Sequence, residues 1–249
     1  MSTKNTKRST GTLGTFQILQ KIYDLLAYDA EFKPLLGNIP NNIHILVFGD
    51  SGEDKTELVM RVTKSFSKAG TDVDWISYEQ GHGLDMQMAL RRNGMLDVGS
   101  RFSVTDPHYC KKPNTTYLED LRTKIGKRGS ADLFVIDSAQ YIDITVQEYF
   151  ALKNDYPKKG FIFISHKNGK YPDGKTALKI GYDGGCRILV KNYIAHPEKN
   201  RFGGTEPYVI WDEMARRREP KFFIERDNRP KKTLFDAENV AEEGGVSAK

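Results

Sequence analysis

The chain has 249 residues, of which 38% are hydrophobic and 29% charged, with a formal net charge of +5 and two cysteines. That describes one large globular domain, or one domain with extensions, long enough to bury a substantial core. No apolar run approaches the ~20 residues of a membrane span, so no membrane partner is expected, and the positive charge permits nucleic-acid contact without establishing it. Cys110 and Cys186 lie far apart with no C-x-x-C pair, which argues against a zinc site or a disulfide framework and reads each as a buried thiol.

Residues 1–15 are polar and read as a flexible, basic arm. Met1 to Arg8 carries basic residues but no apolar h-region follows, so a secretory leader is not expected and the cytoplasm is the default location. Phe16, Leu19, Ile22, Leu25 and Leu26 then recur at three- and four-residue spacing, which predicts a helix. Asn38 to Asn42, with Pro40 inside, is a turn.

An apolar run, Ile43 to Phe48, leads into Gly49-Asp50-Ser51-Gly52-Glu53-Asp54-Lys55-Thr56, and a helical pattern follows with Leu58, Val59, Val62 and Phe66. This is the strand–loop–helix setting of the phosphate-binding signature G-x-x-x-x-G-K-[ST]. Backbone N–H groups of such a loop form an anion nest at a helix N-terminus, where the dipole also favours negative charge. Lys55 is placed for the outer phosphates of a nucleotide and the Thr56 hydroxyl for Mg²⁺. The second glycine of the signature is Asp54 here, which adds a side chain and a negative charge where the backbone usually needs freedom.

Beyond the loop, strands and helices alternate. Val73–Tyr78, Phe102–Val104, Leu133–Ile136 and Phe161–Ile164 are predicted strands; Leu84–Arg92, Tyr117–Lys127 and Val146–Leu152 are predicted helices. Together they predict an α/β fold with a mostly parallel twisted sheet covered on both faces. Past Tyr182, the segments Arg187–Val190, Tyr193–Ala195 and Tyr208–Trp211 follow closely without helices, which predicts antiparallel strands added at the C-terminal side. A core over residues 16–226 and a disordered tail over 227–249 complete the expected organisation.

Three strand ends carry further chemistry. Asp137 closes the run Leu133-Phe-Val-Ile136, where a carboxylate at the carboxyl end of a parallel strand would reach Mg²⁺. Glu79 ends the run from Val73, and from its position alone it is either a carboxylate that orients water or a surface acid. His166 follows Phe161-Ile-Phe-Ile-Ser165 and is either a group that senses the terminal phosphate or a histidine satisfied at a strand end.

These residues resemble the RecA-superfamily core of P-loop NTPases, more specifically its RadA/DnaB/KaiC branch, over roughly Leu35 to Trp211. Leu35-Leu-Gly-Asn-Ile-Pro40 is similar to that branch's lead-in to the phosphate loop, and Trp75-Ile-Ser-Tyr-Glu79 to its strand ending in the catalytic glutamate. Lys199-Asn-Arg201-Phe-Gly203 resembles the K-N-R-F-G motif of RadA-like proteins. The resemblance implies that Glu79 is the catalytic acid, Asp137 the Mg²⁺ carboxylate and His166 the polar sensor. It also implies that Lys199 and Arg201 act on the nucleotide of a neighbouring subunit in a head-to-tail homo-oligomer, ring or filament. No zinc finger, protease-like domain or N-terminal helical domain of the branch is legible, which implies a stripped core of phage or mobile-element type.

In RecA-like proteins the stretch after His166 is a mobile DNA-contacting loop. Here it holds Lys167, Lys170, Lys175 and Lys179 with Tyr171, a composition suited to backbone contact and stacking on single-stranded or duplex DNA, with a solvated loop as the alternative. Arg216 to Arg218 is a second basic patch with the same two readings. The expected function is that of an ATP- and Mg²⁺-dependent ATPase acting on DNA in recombination, replication or mobile-element transfer. The competing reading is an ATP-binding regulatory or scaffolding subunit that has lost hydrolysis and works through nucleotide-dependent assembly, with Asp54 the residue that puts turnover in question. A small-molecule kinase is disfavoured, because the Lys199/Arg201 element and Glu79 suit hydrolysis in an oligomer.

Overall fold

The computed structural model describes residues 11–228. Residues 1–10 of the expected arm and 229–249 of the expected tail lie outside that range. In chain order the elements are α1 (Thr15–Leu19), α2 (Lys33–Leu36), β1 (His44–Gly49), α3 (Lys55–Lys68), β2 (Val73–Ser77), α4 (Leu84–Arg92) and β3 (Phe102–Thr105). Then come α5 (Pro107–Cys110), α6 (Tyr117–Ile125), β4 (Leu133–Asp137), α7 (Ala139–Ile142), α8 (Val146–Asp155), β5 (Gly160–Asn168) and β6 (Tyr171–Pro172). The chain closes with α9 (Lys175–Asp183), β7 (Cys186–Lys191), β8 (Ile194–Asn200), β9 (Tyr208–Val209), α10 (Asp212–Arg218) and α11 (Pro220–Asp227).

Among the described residues one sheet runs in the order β3-β2-β4-β5-β1-β7-β8-β9, with β6 paired to β5 beside it. From β3 to β7 every neighbouring pair is parallel, and β8 and β9 are antiparallel additions at one end. The apolar runs read as strands because both faces are covered. In β1, Ile45 and Val47 point into a core shared with Leu58, Val59, Val62 and Phe66 of α3, whereas Leu46 and Phe48 point into a core with Leu121, Tyr149 and Ile180. The covering helices start where their caps dictate. Thr116 Oγ1 accepts the Glu119 N–H at 3.1 Å while Glu119 Oε2 accepts the Thr116 N–H at 2.7 Å, and Thr145 with Glu148 repeats this box on α8.

Three expectations need correction. The predicted N-terminal helix shrinks to α1, because its stripe finds no surface to bury against. Phe16, Leu19, Ile22 and Leu25 are exposed, Ile22 at 96%, and only Leu26 joins the core. The segment Arg187–Val190 lies in a strand parallel to β1, not antiparallel, because α9 precedes it and supplies the crossover. The lysine-rich stretch after His166 is not an open loop: Lys167 and Asn168 pair with Pro172 and Tyr171, and Lys175 and Lys179 sit on α9, anchored by buried Ala177 and Ile180.

Candidate functional site

The register of four adjacent strands assembles the site. Gly49 at the end of β1 is level with His166 on β5, and Ser77 at the end of β2 is level with Asp137 at the end of β4. The carboxyl ends of the strands thus bring the phosphate loop, Glu79, Asp137 and His166 to one rim, the place where open α/β sheets hold ligands. A cleft of about 350 Å³ opens there, lined by Lys55, Thr56, Glu79, Asp137 and His166 together with Gly52 and Asp54.

Within the loop each residue has a physical reason. A Cβ on Gly49 would stand 2.2 Å from the Val190 carbonyl oxygen, so the close approach of β7 demands glycine. Gly52 takes φ 76°. Asp54 takes φ 62° and ψ 32° immediately before α3, a left-handed conformation that aspartate tolerates better than most residues. Burial and the neighbouring Glu57 raise the pKa of its carboxyl above the ordinary carboxylate value. Lys55 is buried and donates from Nζ to the Asp50 carbonyl at 2.7 Å. Burial lowers its pKa, against the opposing pull of Glu79, Asp137 and Asp50.

Asp137 is 3% exposed, and burial, then the charge of Glu79, lift its pKa to about 7. Its carbonyl accepts the backbone N–H groups of Tyr78 at 2.7 Å and Glu79 at 3.2 Å, which fixes the turn that carries Glu79 beside it. Buried Asp106 secures the same turn by accepting the His82 N–H at 3.2 Å and the His108 N–H at 2.9 Å. Glu79 Oε2 and His166 Nε2 are 3.8 Å apart. Gln140 steadies the end of β5, donating from Nε2 to Ser165 Oγ at 2.8 Å and to the Asp173 carbonyl at 3.1 Å.

The remaining expected residues lie elsewhere. Lys167 turns back onto the loop that follows β1, its Nζ 2.6 Å from Asp50 Oδ2. Lys170 and Lys175 are exposed, and exposed Lys179 lies over the Phe150 ring at 5.5 Å. Lys199 donates to the Tyr182 carbonyl at 2.5 Å and the Gly184 carbonyl at 2.8 Å, closing the C-terminal end of α9. Burial, then the charges of Arg201 and Arg187, lower its pKa. Arg201 is exposed, and neither residue lines the cleft of its own chain. On α10, Arg216 pairs with Asp212 at 2.6 Å and covers the Phe223 ring.

The two motifs that carried the family resemblance are packed on each other. Asn200 Nδ2 donates to the carbonyls of Leu35 and Leu36, each at 3.0 Å, and the Asn38 N–H donates to the Phe202 carbonyl at 2.8 Å. A Cβ on Gly37 would come within 1.9 Å of that Phe202 oxygen.

Gln80, Ser138 and Arg92, which no sequence motif marks, also line the cleft. Gln80 Oε1 and Ser138 Oγ are buried and make no hydrogen bond within the chain. Their adjacency to Glu79 and Asp137 was the available signal; Arg92, at the end of a helix, gave none.

No protein-family profile matches the sequence, and no curated protein matches it. Among solved structures, the crystal structure of the flagellar accessory protein FlaH from Methanocaldococcus jannaschii is similar, with a TM-score of 0.53 and 14% identity, covering 76% of this chain and 92% of that one. The fold is RecA-like, a mostly parallel sheet flanked by helices with antiparallel strands added at one end. Among the described residues no helix is long and apolar enough to cross a membrane.

Proposed function

We propose that this chain is a RecA-like ATPase of the RadA/DnaB/KaiC type that binds ATP with Mg²⁺ in the cleft, assembles head to tail and acts on DNA. Recombination, replication or transfer of a mobile element is the setting, and residues 16–226 form the working core. The observation that carries this reading is the convergence of Lys55, Glu79 and Asp137 on one cleft whose wall also holds unpartnered Gln80 and Ser138 oxygens. Buried polar atoms left without partners are costly unless a ligand completes them.

The donor set fits the cofactors. Among the described residues no group of three or more His, Cys, Asp or Glu side chains is placed to hold a metal by itself. Mg²⁺ takes one or two carboxylates and completes its shell with water and substrate phosphates, which suits Asp137 with the Thr56 hydroxyl. When bound, the ion would neutralise phosphate charge. The loop from Gly49 to Thr56 would cradle the phosphates, Lys55 would contact the outer ones, and Glu79, steadied through Asp137 and Asp106, would orient the attacking water. His166 would register occupancy from 3.8 Å beside Glu79.

Assembly is supported by what the cleft lacks. Lys199 and Arg201 lie away from their own cleft, so a phosphate role for them needs a neighbouring subunit, and the exposed apolar run from Phe16 to Leu25 is surface that assembly would bury. For DNA, exposed Lys170 and Lys175, with Lys179, are the contact candidates.

One observation favours the second reading, a scaffold that binds ATP without turnover: Asp54 puts a carboxylate in the cleft. Titration with Mg-ATP, then turnover and mass measurement with and without single-stranded DNA, tests both. DNA-stimulated turnover in an oligomer supports the ATPase. Binding and assembly without turnover support the scaffold, and no binding rejects both.

A further inference from the structure

Asp54 leaves the phosphate loop with three carboxylates, those of Asp50, Glu53 and Asp54, against the single ammonium of Lys55. Lys167 neutralises one of them at Asp50. Asp54 lines the cleft itself, where an entering polyphosphate would meet a like charge. Arg92, the last residue of α4, lines the same cleft.

That arginine is built into place. Its Nε donates to Glu57 Oε1 at 2.8 Å and Nη2 donates to the same oxygen, while Asn93 Nδ2 holds Glu57 Oε2 at 2.8 Å and the Ala89 carbonyl at 2.9 Å. The Glu57 side chain is 10% exposed and that of Arg92 58%. Glu57 stands three residues beyond Asp54, on the side of α3 where Asp54 precedes it. A guanidinium has five N–H donors, and Glu57 takes two. No other acceptor among the described residues takes the rest.

We propose that Arg92 is a phosphate-binding residue of this cleft, held by Glu57 and supplying within the same chain the positive charge that offsets Asp54. The ligand class is a nucleoside polyphosphate, so the inference rests on the reading of the cleft as a nucleotide site. A fixed guanidinium fork suits phosphate oxygens, and its contribution grows with the number of phosphates present.

A double-mutant cycle tests it, with Mg-ATP and Mg-ADP titrated into the full-length wild type, Arg92→Met, Asp54→Gly and the double variant. Arg92→Met should weaken Mg-ATP binding by about tenfold when Asp54 is present and by less than about threefold when glycine replaces it. The loss should be smaller for Mg-ADP. Thermal melting checks folding, because Arg92→Met leaves a buried carboxylate without its partner. If that variant does not fold, Arg92→Gln, which can still donate a hydrogen bond to Glu57 and loses the charge, should show the same dependence on position 54. Equal losses in both backgrounds would show that Arg92 does not offset Asp54, and no loss in either would remove it from the ligand. Failure of every protein to bind would reject the nucleotide reading itself, an outcome distinct from a cycle without coupling.

Discussion

Lys167 Nζ lies 2.6 Å from the carboxylate of Asp50, and the backbone carbonyl of that same Asp50 accepts Lys55 Nζ at 2.7 Å. One loop residue therefore organises two ammonium groups, one through its side chain and one through its main chain. Lys167→Met should loosen this arrangement and weaken Mg-ATP binding by about threefold, with under about 1 kcal/mol lost in stability, since the Asp50 side is solvent-exposed. It should leave DNA affinity unchanged, whereas Lys170→Ala should lower DNA affinity and flatten the salt dependence by about one unit of slope. Parallel titrations with nucleotide and DNA decide between the two assignments. A DNA defect in Lys167→Met would return that lysine to the basic surface.

Much of the architecture was legible because pattern and burial agree. Leu84–Arg92 forms the predicted helix, and the apolar runs at β1, β4 and β5 are buried along their apolar lengths. Helix α9 was hidden because its lysines read as a loop composition, while Ala177 and Ile180, three residues apart, are the sparse stripe that buries. The N-terminal helix was over-extended for the opposite reason, a clear period with nothing in the chain to pack on. That Asp137 and Glu79 stand at or just beyond strand ends was readable from local sequence, while for Glu79 local sequence left a surface acid equally open and only the resemblance implied a role. The pairings of Arg92 with Glu57 and of Lys167 with Asp50 were not readable, because the partners are distant in sequence.

Asp54 makes the sharpest test of the phosphate loop. It occupies a left-handed conformation that costs a residue with a Cβ about 1–2 kcal/mol and glycine almost nothing. Asp54→Gly should raise the melting temperature and tighten ATP binding at least about tenfold, or ~1.4 kcal/mol. Hydrolysis should rise with it where Glu79 and Asp137 are intact. Equal affinities for both proteins would mean that the carboxylate is fully offset, and the Asp54→Gly arm of the Arg92 cycle would show it.

Lys199 and Arg201 are separable. Lys199→Ala removes a charged donor from the carbonyls that end α9 and should cost about 1.5–3 kcal/mol in denaturant unfolding. Arg201 is exposed, so Arg201→Ala should leave stability near wild type and abolish turnover. Mixing Arg201→Ala with Asp137→Asn should restore part of the activity, because one interface of the mixed oligomer then has both intact halves. Absence of any rescue across mixing ratios, in a protein that stays monomeric with ATP, excludes action in trans.

His44 sets an acid limit on stability. It is 6% exposed, and burial, reinforced by the charge of Lys153, lowers its pKa to about 4. Tyr149 donates its hydroxyl proton to Asp183 at 2.9 Å, so His44 Nδ1, 3.1 Å from that hydroxyl, donates to it in the neutral ring. Between the ordinary value of 6.5 and about 4, the unfolded chain takes up a proton that the folded chain refuses. Stability therefore falls as pH drops through that window, by about 3 kcal/mol in total. Urea unfolding at pH 7 and pH 4.5 should show a shallower pH dependence for His44→Gln; an identical dependence would place the acid sensitivity elsewhere.

The first glycine of the phosphate loop owes its place to the neighbouring strand. The Val190 carbonyl oxygen stands 2.2 Å from where a Cβ of Gly49 would be, and the two residues are register partners between β1 and β7. Whatever the loop binds, glycine is compelled there as long as the sheet keeps this order. That letter is a fossil of architecture, whereas position 54 holds an aspartate in spite of its left-handed backbone.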